Sequence, residues 1–347
     1  MKKFLALLLV VCMALCLCAC GAKSAPAETK PAAQEAPVEP AAEPAEAEYP
    51  TKPITFIIPY DAGDGLDLSC RAMLENIDLP VATVVENISG GAGTIGLSEA
   101  FNRGTDGYTV AILSNGPVIS QPLLNDTLVY QLDDWQPLTA ITAPVLSCLA
   151  CNTSKGITNS AEMKEFLQSG ESFTVGVPNM SGFGYISCLT LFYQMDILDN
   201  VTWVSYEGAS ALYQAYLSGE IDFAAFDDCF AAKYVDAGED VVVGVVIGAE
   251  RSQYFPDVEC AGEWGIEKVG DNIGFKVAAV PKGTPQYICD YLSEKINEAI
   301  MTEGYQSWCE QNYYATFDKP YDIQETTDML FSVRELNREM MTLAGLL

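Results

Sequence analysis

Histidine is absent from all 347 residues of this chain, and basic residues are scarce, with 18 Lys and Arg against 47 Asp and Glu. The lack of histidine excludes Ser-His-Asp and Cys-His catalytic groups, histidine-ligated zinc and a histidine pH switch. The formal charge of −29 argues against nucleic acid and anionic membrane surfaces as partners, because both need a basic footprint. The chain contains no G-x-S-x-G or H-E-x-x-H motif, so the sequence predicts no enzyme, no cofactor and no bound metal.

Long apolar runs are also missing, with one exception at the N-terminus. Two lysines precede the apolar segment 4–19, and Leu17-Cys18-Ala19-Cys20 closes it. We interpret residues 1–20 as a lipoprotein signal peptide with a lipobox, in which Cys20 is the lipidated residue. An uncleaved transmembrane anchor is the alternative, since the run approaches the ~20 residues that span a bilayer. Both interpretations place the rest of the chain outside the cytoplasm, tied to the cell membrane.

Residues 21–48 are dominated by Ala, Pro and Glu. Such a composition cannot bury enough apolar surface to offset the entropy lost on ordering the chain. The spaced prolines favour extended conformations. We therefore predict a disordered tether that holds a folded body away from the membrane.

Eight cysteines follow Cys20, an even number that would suit disulfides in an exported protein. A body of about 300 residues does not need such cross-links, because it buries enough surface by itself. Most of these cysteines have apolar neighbours, so we predict buried thiols. Cys148 and Cys151 are three positions apart in a predicted strand, which points their side chains to opposite faces of a sheet.

From Tyr49 onward, strand-like apolar runs alternate with helical patterns. Nine strand-like runs lie at 54–59, 82–85, 109–113, 145–150, 173–177, 202–206, 221–226, 241–247 and 275–280. Helical patterns lie at 68–77, 161–167, 185–195, 209–217, 286–301 and 322–347. This alternation predicts βαβ units arranged as two α/β domains with parallel sheets.

Two glycine-rich segments follow predicted strands. The first, 59–67, ends at Asp67, a candidate N-cap residue, and amides exposed at such a helix start can hold a carboxylate. An ordinary turn is the alternative. The second, 90–96, contains a formal G-x-G-x-x-G and opens a helix, but it begins several residues after its strand and lacks the acidic residue expected about 20 positions later. The context therefore argues against nucleotide binding.

The same segments carry a resemblance to a known family. Residues 49–67, YPTKPITFIIPYDAGDGLD, resemble the opening YPxKPI and PFxAGGGTD segments of the substrate-binding proteins of tripartite tricarboxylate transporters, the Bug-type receptors. The resemblance continues in the family's order at 85–96, 106–109, 204–209, 219–222, 255–258 and 281–285.

The resemblance implies an α/β, two-lobed periplasmic-binding-protein fold (type II, Venus-flytrap) with two parallel or mixed sheets. Residues 49–148 plus 271–347 would form lobe 1 and residues 149–270 lobe 2, with two chain crossings between them. The implied function is that of a monomeric receptor that captures a small molecule between its lobes. It would deliver that ligand to a permease of one large and one small membrane subunit. A sensor of the same fold that signals to a membrane kinase is the alternative.

In this family, backbone amides of two facing loops, rather than basic side chains, hold the carboxylate of the ligand. The matching residues are expected to be Tyr60, Ala62, Gly63, Asp64, Gly65, Leu66, Asp67, Ser114 and Asn115 in lobe 1, and Ser181, Gly182, Phe183, Gly184, Tyr206 and Asp227 in lobe 2.

The chain departs from the family pattern at two of these positions. Asp64 stands where the family usually has Gly, and Leu66 where it usually has Thr or Ser. The first change puts a carboxylate beside the expected anion site, the second removes a hydroxyl donor, and Asp227 and Asp228 add further negative charge at a strand end. These charges favour a ligand with an amine or a neutral amide over a di- or tricarboxylate. The alternative is that Asp64 points outward and is simply solvated.

Overall fold

A computed structural model describes residues 48–206, 208–269 and 272–347. The predicted signal peptide, Cys20 and nearly all of the predicted tether lie outside the described residues. Within the described ranges, no helix combines the length and the apolar character needed to cross a membrane.

The described residues form ten strands and ten α-helices. The strands are β1 (Ile54–Ile58), β2 (Thr83–Asn87), β3 (Thr109–Leu113), β4 (Trp135–Val145), β5 (Ser147–Cys151), β6 (Phe173–Val177), β7 (Val201–Ser205), β8 (Phe223–Asp227), β9 (Val242–Ile247) and β10 (Gly274–Pro281). The helices are α1 (Gly65–Glu75), α2 (Thr94–Asn102), α3 (Gln121–Leu124), α4 (Ser160–Leu167), α5 (Phe183–Gln194), α6 (Ala209–Leu217), α7 (Asp228–Asp236), α8 (Gln286–Ile300), α9 (Glu303–Gln311) and α10 (Ile323–Leu343).

The strands form two five-stranded sheets with the same arrangement. The first has the order β2-β1-β3-β10-β4 and the second the order β7-β6-β8-β5-β9. In each, three parallel strands are followed by an antiparallel strand. We call the part built on the first sheet lobe 1 and the part built on the second sheet lobe 2. The two-lobed α/β fold expected from the sequence is confirmed.

Burial follows the position of some strands within the sheets. The central strand β3, with the sequence TVAIL, is buried along its whole length, as a strand covered on both faces requires. The edge strands β2 and β7 are only partly buried, whereas the opposite edge strands β4 and β9 are largely buried. An apolar composition therefore suits a central strand but does not by itself exclude an edge position.

Strand β4 was not predicted, and neither were helices α7 and α9. Pro137 and Pro144 lie within β4 and argue against a strand at the sequence level, because proline has no N–H to donate to the hydrogen bonds of a sheet. The structure accommodates them because β4 is at the edge of its sheet. The strand predicted at 145–150 is divided, since Val145 ends β4 while Ser147 begins β5.

The chain passes between the lobes at Leu146, where β4 of one sheet gives way to β5 of the other. The expected boundary at 148 therefore differs from the structure by two residues. The chain returns between Ile247 and Gly274.

Helix α10 departs from the expected assignment of residues 271–347 to lobe 1. Leu330 and Val333 pack in the core of lobe 1, whereas Met341 packs in a core of lobe 2. The 21 residues of α10 span about 31 Å at 1.5 Å per residue, which is long enough to reach both cores.

All eight described cysteines are free and buried, as predicted. Cys148 and Cys151, both on β5, pack in two different cores of lobe 2, as expected for a spacing that alternates between sheet faces. Burial raises the pKa of Cys148 well above its usual value, so the thiol stays protonated and unreactive. The thiols therefore serve as packing groups.

Candidate functional site

A cleft of about 620 Å³ lies between the lobes. Its walls are the loops that follow β1 and β3 in lobe 1 and β6, β7 and β8 in lobe 2, together with the start of β10 and the chain after α9. These loops are at the carboxyl ends of parallel strands, where open α/β sheets bind ligands. The cleft is therefore the candidate binding site.

The structure brings twelve of the fifteen expected site residues to this cleft. They are Tyr60, Ala62, Gly63, Asp64, Gly65, Leu66, Ser114, Asn115, Gly182, Phe183, Gly184 and Asp227. Asp67, Ser181 and Tyr206 do not line it. Glu207, in the loop after β7, lies outside the described residues.

Asp67 holds the loop after β1 in place from outside the cleft. Its buried carboxylate accepts hydrogen bonds from the Gly63 amide at 2.8 Å and from Asn87 Nδ2 at 3.0 Å. Arg71 Nε donates to both of its oxygens. Burial alone would raise the pKa of Asp67, but these hydrogen bonds hold it below its usual value. Asp67 thus fixes the loop and is not the N-cap that its position suggested.

Ser181 and Tyr206 also have structural partners. Ser181 Oγ accepts a hydrogen bond from Gln121 Nε2 of lobe 1 at 2.9 Å, which ties the two lobes together beside the cleft. The hydroxyl of Tyr206 donates to Glu220 Oε1 at 3.0 Å. Both side chains are therefore engaged outside the cleft.

The N-cap of α1 is Asp64. Its Oδ1 accepts a hydrogen bond from the Leu66 amide at 2.9 Å, so the carboxylate closes the start of this helix. The side chain is open to solvent in the cleft, but nearby protein removes part of its hydration and raises its pKa. Asp64 is thus neither merely solvated nor remote from the cleft, because its carboxylate lines the cleft and caps the start of α1.

Asp227 faces the cleft from lobe 2, between β8 and α7. Among the described residues, nothing donates a hydrogen bond to its carboxylate, although Asp227 is the N-cap of α7. Burial raises its pKa to about 6, and the charges of Asp228 and Asp64 add to this effect while that of Lys276 opposes it. Asp228, by contrast, is satisfied by Ser252 Oγ at 2.7 Å.

Sequence reasoning missed Lys276, which lines the cleft from β10. Its Nζ lies 4.7 Å from the centre of the Tyr314 ring, and no carboxylate of the described residues lies within 4.0 Å of it. The expectation that main-chain amides rather than basic side chains hold the ligand carboxylate did not take this lysine into account. The only available signal was a lone lysine in the otherwise apolar strand GFKVAAVP.

Helices α5 and α6 begin at the cleft without side-chain caps. Their N-cap residues are Gly182 and Gly208, neither of which has a side chain to accept from the first amides. Such amides carry the positive end of the helix dipole and attract anions. Aromatic rings complete the walls, from Tyr60, Phe183, Phe230, Tyr234, Tyr313 and Tyr314.

The second glycine-rich segment lies away from the cleft. A Cβ on Gly96 would lie 2.4 Å from the Ile88 carbonyl and 2.8 Å from Pro59 Cα. This glycine therefore allows α2 to pack closely on its neighbours. No group of potential metal ligands occurs within the described residues.

Two α/β lobes between which the chain crosses twice, with a crevice at facing strand ends, form the fold of periplasmic binding proteins. Consistent with this, the fold matches that of the periplasmic binding protein BugD with a TM-score of 0.73 over 86% of this chain and 99% of BugD, at 19% identity. A Rhodopseudomonas palustris protein solved with adipate matches with a TM-score of 0.74 over 86% of this chain and 99% of that one, at 18% identity.

The sequence comparison identifies the family. The model of the tripartite tricarboxylate transporter family receptor matches residues 71–340, so the chain belongs to that family. The protein BugT of Bordetella pertussis is 24% identical over 269 residues, which cover 74% of this chain and 78% of BugT. The resemblance found in the sequence is thereby confirmed. The chain is an extracytoplasmic solute-binding receptor, of a family that binds small molecules and works with membrane permeases.

Proposed function

We propose that this protein is a lipid-anchored receptor that captures a small organic ligand bearing carboxylate, amide or amino groups. It acts as a monomer and delivers the ligand to a permease of one large and one small membrane subunit. The observation that carries the proposal is the cleft of about 620 Å³, whose walls come from both lobes. A volume of this size suits a compact organic molecule.

Capture of the ligand follows because both lobes contribute walls to the cleft. A ligand that touches both lobes gains contacts on closure that the open form does not have, so it shifts the population toward the closed form. A hydrogen bond of 2.8 Å already joins the lobes beside the cleft, from the Tyr313 hydroxyl to Asp236 Oδ2. Closure is the conformational signal that a permease can recognise.

Binding can be tested by thermal unfolding of the full-length protein in detergent with single compounds at millimolar concentration. The compounds would be the twenty amino acids, their amides, malate, adipate and citrate. We expect at least one to raise the midpoint by several degrees, because a ligand that binds only the folded state stabilises it. No shift with any of them would count against the receptor proposal.

Delivery can be tested by uptake of the best radiolabelled ligand into cells with and without the receptor. Receptor-dependent uptake is expected. Receptor binding without uptake would instead support the sensor interpretation.

The anchor is testable separately with cells grown on an alkyne-bearing fatty acid. We expect the wild-type chain and Cys18→Ala to be labelled and Cys20→Ala to be unlabelled, since only Cys20 fits the lipobox position. Labelling of Cys20→Ala would place the lipid elsewhere.

A further inference from the structure

We propose that the cleft is built for a zwitterion, a compound that carries an ammonium group and a carboxylate on neighbouring atoms, as an α-amino acid does. The ammonium group meets Asp227, and the carboxylate lies between Lys276 and the start of α5. The inference rests on the proposed receptor function and specifies the ligand of the same cleft.

The first support is that the cleft holds two opposite charges, those of Asp227 and Lys276, that form no direct ion pair with each other. Asp227 receives no hydrogen bond from the described residues, and Lys276 has no carboxylate of those residues within 4.0 Å. Both line the cleft. Buried or partly buried charges are costly unless they are paired. A ligand with both signs of charge pairs the two at once.

The second support is that both charges lie near the first turn of α5. Gly274 packs so closely on Phe183 that a Cβ there would lie 2.9 Å from the ring, and a Cβ on Gly184 would lie 3.4 Å from that of Ala225. Lys276 is two residues beyond Gly274 on its strand, and Asp227 is two residues beyond Ala225 on its own strand. Two residues of a strand span about 7 Å. Each charge therefore lies about 7 Å along its strand from a residue in contact with the first turn of α5, and the Lys276 charge acts on the Asp227 carboxylate across the cleft, so we place the two at opposite ends of one small molecule.

The third support is the difference between the helix starts. In lobe 1 the Asp64 carboxylate already accepts from the Leu66 amide and lies at the start of α1, so a second ligand carboxylate at this loop would meet a negative charge. The start of α5 has no side-chain cap. One ligand carboxylate therefore has a place, whereas a second would face Asp64.

The net charge of the cleft favours the same class of ligand. Among the described residues, the charged side chains that line it are Asp61, Asp64, Asp227, Lys233 and Lys276, which sum to −1 when all are ionised. A zwitterion leaves this sum unchanged, whereas a dicarboxylate brings it to −3. Like charges brought together at close range weaken binding.

The proposal can be tested by titration calorimetry of the full-length protein with each amino acid, with adipate and with malate. For the amino acid that binds most tightly, calorimetry is repeated with two analogues. One is the decarboxylated amine, which lacks the carboxylate, and the other is the deaminated acid, which lacks the amino group. We expect the amino acid to bind at least tenfold more tightly than either analogue and at least 100-fold more tightly than adipate.

Two variants separate the two ends of the ligand. Asp227→Asn should weaken the amino acid at least tenfold and leave the deaminated acid unchanged or tighter. Lys276→Gln should weaken the amino acid and the deaminated acid but not the decarboxylated amine. Asp257→Asn and Lys282→Gln, exposed positions outside the cleft, are the matched controls and should bind as the wild type does. Unchanged melting temperatures establish that each variant is folded.

Adipate or malate binding more tightly than every amino acid would overturn the inference and leave the receptor function standing. If Asp227→Asn and Lys276→Gln each lost the same affinity for the amine and for the acid, the inference would also be overturned. Asp227 and Lys276 would then not bind separate ends of the ligand. Failure of every compound to bind would instead contradict the receptor function itself.

Discussion

The loops that open α1 and α5 occupy equivalent places in the two lobes. Each follows the strand that lies between the other two parallel strands of its sheet, β1 in one lobe and β6 in the other. In lobe 1 the helix start is closed by the Asp64 carboxylate, whereas in lobe 2 it is left open by Gly182. The N-cap residue thus decides whether a side chain of the protein accepts from the first amides of the helix or leaves them available to a ligand. The comparison indicates that the specificity of a symmetric cleft can be changed by a single cap.

Closing the second helix start should have the largest effect. Gly182→Asp would put a carboxylate where we place the carboxylate of the ligand, so we expect the affinity for the best amino acid to fall about 100-fold. The new Cβ would lie 2.8 Å from Asn179 Oδ1, which must shift and weaken the hydrogen bonds that it accepts from Ser181. Calorimetry measures the affinity, and thermal unfolding should show a nearly unchanged midpoint, because the favourable Asp N-cap offsets that loss.

Gly182→Ser is the neutral control for that experiment and should lose much less affinity. Similar losses for Ser and Asp would mean that space, rather than charge, matters at this helix start.

The pH dependence should distinguish Asp227 from the capping Asp64. An ammonium group needs an ionised partner, and the Asp227 pKa is raised to about 6 in a setting shared with Lys276, Asp228 and Asp64. Affinity should therefore fall as the pH drops, by about tenfold from pH 7 to pH 5, because binding must then displace a proton. Calorimetry at both values tests this, and Asp227→Asn should show a flat profile. An equally steep profile in that variant would assign the titration to another group.

Opening the first helix start should have a smaller effect in the opposite direction. Asp64→Gly frees the Leu66 amide at the start of α1 and removes one negative charge, so adipate should bind about fivefold more tightly than to the wild type. Gly is an acceptable N-cap, so stability should fall by only a few tenths of a kcal/mol. Calorimetry with adipate gives the answer, and no gain would show that the start of α1 plays no part in choosing the ligand.

The smallest effect should come from the bond between the lobes. Tyr313→Phe removes the hydroxyl that donates to Asp236, and we expect the ligand to dissociate about twofold faster in stopped-flow measurements. Tyr287→Phe is a suitable control, because it removes a tyrosine hydroxyl outside the cleft. Slower dissociation in Tyr313→Phe would mean that the bond favours the open form.

Much of the fold was readable from the sequence because its signals are local. Apolar runs such as ITFII and TVAIL and the intervening helical periodicity depend only on neighbouring residues. Strand β4 escaped because its two prolines are tolerated only at a sheet edge, and edge position is a property of the assembled sheet.

The site was readable only in part, for a related reason. Loops at strand ends are visible in the chain order, and most of the expected residues do line the cleft. The role of Asp67 was misassigned because its partners Arg71 and Asn87 are set by the folded loop. Lys276 was missed because it reaches the cleft from the antiparallel strand β10, which joins its sheet only after the chain has passed through lobe 2.

Helix α10 restricts how the receptor can move. It runs from the core around Leu330 to the core around Met341, and its 21 residues include neither proline nor glycine to form a kink. A straight helix that packs in a core at each end resists bending far more than rotation about its own axis. The two lobes are therefore expected to pass between open and closed forms mainly by rotation about the axis of this helix, so that closure is a twist of one lobe on the other.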